Sequence, residues 1–292
     1  MTESQAEPGQ HVAPADRFSR SRTMHRFTAR RVTVVEVTEI EHFTRVTLSG
    51  DELADWASTG PGDHARVFFP DPATGELVAP APASPDESGI VRPDRPTFGR
   101  DFTPLNVREH PGSGHRVFDL DVLRHEDPGP AAQWAERARP GDELVIVGPR
   151  GSVSVAQHAP RVLCVVDETA LPATARWIED MPRTARIEVI ADIAGDLDWV
   201  RVYLAAQGGR DVVISAAPQD ADGLASTARD AGIDEQTYVF AAGEATRLIP
   251  LRRLLRYELQ LPREQYAISG YWKRGAEAFD HHAPIDPSDP EE

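Results

Sequence analysis

The residues best suited to chemistry sit together at Arg100-Asp101-Phe102-Thr103-Pro104, with Asn106 and Arg108 just beyond. Within four positions they offer a cation, a flat aromatic ring and a short hydroxyl. In an extended strand Arg100 and Phe102 project to one face while Thr103 turns to the other. That set suits a flat, anionic cofactor: a ring stacks on a planar heterocycle, a threonine bonds its polar edge, and an arginine fork holds a phosphate. Alone, the stretch reads as an ordinary strand end, so its company decides.

Further segments carry compatible chemistry. From His125 to Trp134 the chain leaves a strand and enters a helix: Asp127 or Gly129 can cap it, Pro130 suits its first turn, and Ala131 to Ala138 sustain it. Small residues at such a start leave backbone N–H groups free to face a diphosphate, although a plain capped surface helix has the same pattern. Asp167-Glu168-Thr169-Ala170-Leu171-Pro172-Ala173 follows the apolar run Val162 to Val166 directly. That is the carboxyl edge of a parallel sheet, where open α/β folds bind ligands; Thr169 also suits a simple helix cap. Ala242-Gly243-Glu244-Ala245 ends another apolar run and opens a helix whose Leu248, Leu251, Leu255 and Leu259 belong to the core. Asp192 ends a third run, where an acid accepts from a ribose 2'-hydroxyl and repels a 2'-phosphate, which favours NADH. Lys273, the single lysine among 31 basic residues, lies in Ser269-Gly270-Tyr271-Trp272-Lys273-Arg274-Gly275.

Two styles of element must position these residues. From Arg31 to Val147, six short strands separated by Gly50, Gly60-Pro61-Gly62 and Pro70-Asp71-Pro72 predict an antiparallel barrel, with Ala79 to Pro96 a long flexible loop. Beyond Gly148-Pro149-Arg150-Gly151, apolar strands at 162–166, 185–191, 211–215 and 238–242 alternate with helical segments, which implies parallel pairing through crossovers. The expected division is a disordered leader over 1–21, a barrel domain over 22–152, an α/β domain over 153–279 and a disordered tail over 280–292, with His281 and His282 solvated.

Composition narrows the classes. The 292 residues suffice for two cores. Forty-seven acids against 31 bases, a net charge of -16, argue against a nucleic-acid or anionic-membrane surface, so an anionic ligand needs a local basic pocket. Cys164, the only cysteine, is read as a buried, inert thiol, which excludes an internal disulfide. No apolar run has membrane-span length and no signal core is present, so a cytoplasmic protein is expected. The fingerprints of hydrolases, zinc proteases and Gly-x-Gly-x-x-Gly dinucleotide sites are absent, and no resident metal is expected.

In order, from Arg22 to Gly275, these segments resemble the siderophore-interacting proteins, ferric-siderophore reductases related to ferredoxin reductases. Residues 100–105 resemble the family's Arg-x-Tyr-Thr-x-Arg flavin motif, and Gly62-Asp63-His64-Ala65-Arg66-Val67-Phe68-Phe69-Pro70 its Gly-Asp-His-Val-Lys-Leu-Phe-Phe-Pro strand. Residues 125–134 resemble His-x-x-x-Gly-Pro-Ala-x-x-Trp, 167–173 resemble Asp-x-Thr-Ala-Leu-Pro-Ala, 242–245 resemble Ala-Gly-Glu-Ala, and 270–275 resemble Gly-Tyr-Trp-x-x-Gly. The resemblance implies a two-domain protein: an N-terminal antiparallel β-barrel of ferredoxin-reductase type that binds FAD, and a C-terminal α/β domain with a parallel sheet that binds NADH or NADPH. Hydride would pass to flavin N5, then single electrons to the iron of a ferric siderophore.

It further implies that Thr103 and Asp167 serve the chemistry. Arg100, Asp101, Phe102, Thr103, His125, Gly129, Pro130, Ala131, Ala132 and Trp134 would hold FAD, and Asp167, Glu168, Thr169, Ala170, Gly243, Glu244 and Ala245 the nucleotide. Arg66, Lys273 and Arg274 would face the anionic chelate of a monomer. Two positions depart from the motif: Phe102 stands for tyrosine and Leu105 for its second arginine, a charge-assisted contact worth about 1.5–3 kcal/mol. Arg108 and Arg150 are the candidates to replace it. The rival readings are a general flavin reductase for another acceptor and a non-catalytic flavin- or siderophore-binding relative.

Overall fold

The computed structural model describes residues 16–126, 128–276 and 279–290; most of the expected leader and the candidate cap Asp127 lie outside them. Strand β1 (Arg22–Met24) is followed by β2 (Ala29–Ile40), β3 (Phe43–Ser49), β4 (Ala65–Phe69), β5 (Ala81–Pro82) and β6 (Ile90–Val91). Then come β7 (Phe98–Phe102), β8 (Leu105–Glu109), β9 (Arg116–Leu123), helix α1 (Pro130–Ala135), β10 (Glu143–Val147) and β11 (Gly151–Val153). Period-two alternation makes the strands: on β2, Val32 and Val34 are buried while Arg31 and Val35 face out. Seven strands pair in the order β7-β4-β10-β2-β3-β9-β8, each neighbour antiparallel.

The ends of that order, β7 and β8, are joined only by Thr103 and Pro104, so the sheet curls round until its edges meet. Val46, Leu48, Trp56, Phe69, Phe118, Leu144 and Ile146 fill the interior. The continuous strand expected over 100–106 is therefore two, broken where Pro104 has no N–H to give to a ladder. The expected loop at 79–96 holds the small β5–β6 pair, and α1 stops at Ala135, short of Ala138.

The second domain runs β12 (Arg161–Val166), α2 (Leu171–Asp180), β13 (Arg186–Ala191), α3 (Asp198–Gly208), β14 (Val213–Ala216), α4 (Gly223–Asp230), β15 (Thr237–Glu244), α5 (Ala245–Arg253) and β16 (Tyr266–Trp272). Its parallel sheet has the order β14-β13-β12-β15-β16. Alternate residues of β12 feed two cores: Val162, Cys164 and Val166 pack with Trp177 and Tyr203, while Leu163 and Val165 pack with Leu224 and Leu251. Helices thus cover both faces, as a parallel sheet requires. Complete burial pushes the Cys164 thiol up to about 12, which keeps it protonated and inert. The fifth strand, β16, was not expected as a strand, because Ser269 and Gly270 interrupt its apolar pattern.

The domains meet through His42, stacked on Trp199 with ring centroids 4.1 Å apart, and through Arg45, whose partner Asp121 also accepts from Tyr203 of α3 at 2.7 Å. Residues 279–290 correct the expectation of a disordered tail. Asp286 pairs with Arg253 and Asp289 with Arg252, each at 2.6 Å, and Ile285 is buried. His281 reaches the barrel, where it bonds Asp101 at 3.2 Å and lies edge-on to His64. The acids that suggested a solvated tail are charge partners for helix arginines.

Candidate functional site

Strand β7 carries the first group to where the curled sheet closes. Thr103 is 9% exposed; its hydroxyl makes no hydrogen bond within the protein among the described residues, and its oxygen is open to solvent. A polar edge in a ligand could take the place of water there. Phe102 is half-buried beside Trp134 and sits edge-on to Phe69, centroids 6.0 Å apart. Among the described residues Arg100 donates only to the neighbouring Gly99 carbonyl, at 2.9 Å. Asp101 is committed elsewhere, to Arg66 at 2.9 Å and to His281. Burial works to raise its carboxyl, but the His281 bond and the Arg66 charge outweigh it and hold the group below the usual carboxylate range. Arg66 pairs with Asp101 from an exposed position, its side chain 45% accessible.

Helix α1 starts at Gly129 with Pro130 in its first turn and no side-chain cap. A Cβ at Gly129 would meet nothing within 4 Å, so the space before the helix is open. Ala131 and Ala132 are buried against the barrel, Trp134 is half-buried on Phe69 at 5.1 Å, and His125 is exposed. Both arginines suggested as replacements for the one missing at Leu105 are exposed and already make a contact. Leu105 is buried, Arg108 bonds Asp119 at 3.0 Å, and Arg150 lies over the Phe27 ring at 4.3 Å.

Opposite stands the carboxyl edge of the parallel sheet, organised around Asp167. One carboxylate oxygen accepts the Thr169 N–H and hydroxyl, at 2.9 and 2.6 Å; the other accepts the Glu244 N–H at 2.9 Å and the Trp272 indole at 2.7 Å. Burial pushes this carboxyl up while the four donors pull the other way. Gly243 is required here: at φ +152°, a Cβ would lie 2.7 Å from the Asp167 carboxylate. Glu244 caps α5 through the Arg247 N–H at 2.8 Å and holds the Arg274 N–H at 3.0 Å, and Ala245 is buried beneath. Burial, with Asp167 and Asp192 nearby, raises the carboxyl of the half-buried Glu168. Ala170 is fully buried. Lys273 and Arg274 are exposed just beyond β16, at this same edge.

Asp192 does end β13, but Arg247 takes both its oxygens, at 2.9 and 2.7 Å. The free carboxylate on which the NADH expectation rested is therefore not there. Sequence reasoning missed three connecting residues: Arg247, His281 and Arg176, which reaches from α2 to the carbonyl of Pro104. Arg176 had a visible signal, being the one charge in the apolar stretch Leu171 to Ile178.

An antiparallel barrel that closes at Thr103 and Pro104, set against the carboxyl edge of a parallel sheet, defines a two-domain protein of ferredoxin-reductase-like fold. The family model described as siderophore-interacting FAD-binding domain matches residues 33–153, and that described as siderophore-interacting protein matches 159–275. The chain belongs to the siderophore-interacting protein family. It is similar to the crystal structure of a siderophore utilization protein from T. fusca, with 32% identity, a TM-score of 0.71, and coverage of 91% of this chain and all of that one. The NADPH-dependent ferric-chelate reductase of Escherichia coli is 36% identical over 166 residues, a match spanning 53% of this chain and only 58% of that protein. The ferric vibriobactin reductase ViuB of Vibrio cholerae is 27% identical over 258 residues, covering 83% of this chain and 88% of the relative.

Proposed function

We propose that this chain is an FAD-dependent NAD(P)H:ferric-siderophore oxidoreductase. The observation that carries it is the Thr103 hydroxyl, which makes no hydrogen bond among the described residues, beside Pro104, where a helix of the nucleotide domain clasps the strand end of the flavin domain. FAD, when bound, supplies acceptance of a hydride and delivery of single electrons. The protein's residues bind and orient. Thr103 would bond the polar edge of the ring system, Phe102 would lie against it, and Arg100 with the open start of α1 at Gly129, Pro130, Ala131 and Ala132 would hold the diphosphate. His125 and Trp134 frame that helix start. Asp167 fixes Thr169, Glu244 and Trp272 in place, so that Glu168, Ala170, Gly243 and Ala245 keep the shape of the nucleotide edge. Lys273 and Arg274 give an acidic protein a cationic lip toward an anionic chelate.

Iron is the substrate's cargo. Hard oxygen ligands hold Fe(III) far better than the less charged Fe(II), so one-electron reduction releases it. As part of the same reading, the protein acts as a monomer in the cytoplasm; no helix among the described residues is long and apolar enough to cross a membrane. The test is anaerobic reduction of the FAD-loaded protein by NADH and by NADPH, followed by mixing with ferric hydroxamate, ferric catecholate and ferricyanide. Reoxidation favouring a chelate supports the reading; equal rates with all three sink it in favour of a general flavin reductase. A second reading, binding without turnover, has the buried Leu105 in its favour, and a protein that stays colourless after incubation with FAD would support it.

A further inference from the structure

Arg176 lies on α2, where every residue from Leu171 to Ile178 is buried, and is itself 8% exposed. Its guanidinium crosses into the barrel domain. One nitrogen donates to the Ser58 hydroxyl at 2.9 Å and to the Pro104 carbonyl at 3.2 Å, the other to the Ser58 carbonyl at 3.0 Å. The Ser58 hydroxyl donates in turn to Asp63 at 3.0 Å, and the same carboxylate oxygen accepts the Gly60 N–H at 3.0 Å and the Ser152 hydroxyl at 2.6 Å. All three direct acceptors of Arg176 are neutral.

A buried cation on neutral acceptors is a costly way to join two surfaces, because nothing offsets its desolvation in full. Burial accordingly lowers its pKa, against the more distant charges of Asp63 and Asp180. What the planar fork does provide is direction, since it fixes two points of the partner from one helix position. The points matter. Pro104 follows Thr103 immediately, and α2 opens at Leu171, directly after the Asp167 to Ala170 segment. Arg176 lies about 7.5 Å along α2 from Leu171, so a slide or roll of the helix moves both ends together.

We propose that Arg176 is a positioning residue for the hydride step, setting the nucleotide edge at Asp167 against the barrel closure at Thr103 without touching either ligand. This rests on the oxidoreductase reading above. Productive transfer needs reacting atoms held within about 3–3.5 Å, and Arg176 spans the two domains at the strand end that carries Thr103.

The test compares wild type with Arg176→Ala, Arg176→Lys and the milder Ser58→Ala, using FAD content, NADPH affinity and the rate of flavin reduction at saturating nucleotide. Amide exchange at residues 58–63 and 105–106 of the ligand-free protein is followed in parallel. Expected are FAD content and nucleotide affinity within twofold of wild type, reduction slowed at least tenfold in Arg176→Ala and partly recovered in Arg176→Lys, and faster exchange at both segments. Ser58→Ala should fall between, and it decides the matter if Arg176→Ala does not fold. Variants that exchange faster yet are reduced at the wild-type rate overturn the positioning role alone. Wild-type protein reduced by neither nucleotide overturns the oxidoreductase reading itself.

Discussion

Trp272 donates its indole N–H to Asp167 at 2.7 Å, although 105 residues separate them in the chain. The bond ties the last strand of the sheet to the end of the first, and so sets where the exposed pair Lys273 and Arg274 begins. Hydrogen bonds to charged groups contribute about 1.5–3 kcal/mol. Trp272→Phe keeps a ring but removes the donor, and we expect a loss of about 1.5 kcal/mol in urea-induced unfolding, with FAD content unchanged. An unaltered midpoint would show that the other three donors suffice.

Thr103→Ala should retain FAD and slow its reduction at saturating nucleotide about tenfold, the equivalent of one lost hydrogen bond of about 1.4 kcal/mol. Stopped-flow absorbance reads this directly, and Thr103→Ser should recover most of it. Equal rates in Thr103→Ala and wild type would leave the hydroxyl without a role.

Arg247→Ala releases both oxygens of Asp192. A freed carboxylate accepts from a 2'-hydroxyl and repels a 2'-phosphate. The ratio of kcat/KM for NADH over NADPH should therefore rise about tenfold, a change of about 1.4 kcal/mol. A ratio that stays put would place the 2' position of the nucleotide away from β13.

Acid should loosen the tail in two stages. Desolvation and the neighbouring His281, only partly opposed by Asp101, lower the pKa of His64, so the unfolded chain takes up that proton first. Stability is thus lost as pH falls below the ordinary histidine value of about 6.5 toward the folded one. His64 keeps more than a third of its surface exposed, so solvent screening limits the size of this stage. The Asp101 pKa is also depressed, and its contribution disappears later, as pH falls through its folded value below the normal carboxylate range. His64→Gln should flatten the first stage of a melting-temperature profile between pH 8 and pH 3 (roughly the span of these groups), while Asp101→Asn should flatten the second. Parallel profiles in all three proteins would put the acid sensitivity elsewhere.

Patterns set by neighbours in sequence were legible; those set by neighbours in space were not. The valine alternation of β2 and the apolar runs of β12, β13 and β15 announce both sheets, because strand period and burial are local properties. The positions of Asp167 and Gly243 at strand ends followed from the same logic. Their mutual contact did not, since it depends on how closely β15 approaches β12. Asp192 was read as a free acid because nothing nearby in sequence marks Arg247, 55 residues on, as its partner. The tail failed for the same reason. Its acids look solvated until α5 is folded beneath them, and the contacts of Arg108 with Asp119 and of Arg150 with the Phe27 ring have no mark in the sequence.

The pairing of Asp286 and Asp289 with Arg253 and Arg252 has a practical side for whoever produces the protein. An affinity handle or reporter fused behind residue 292 would hang from a segment that also carries His281 to the barrel, and its drag would be felt at Asp101. Trimming the chain after Ala276 would strip two carboxylates from α5 and expose the apolar patch under Ile285, inviting precipitation.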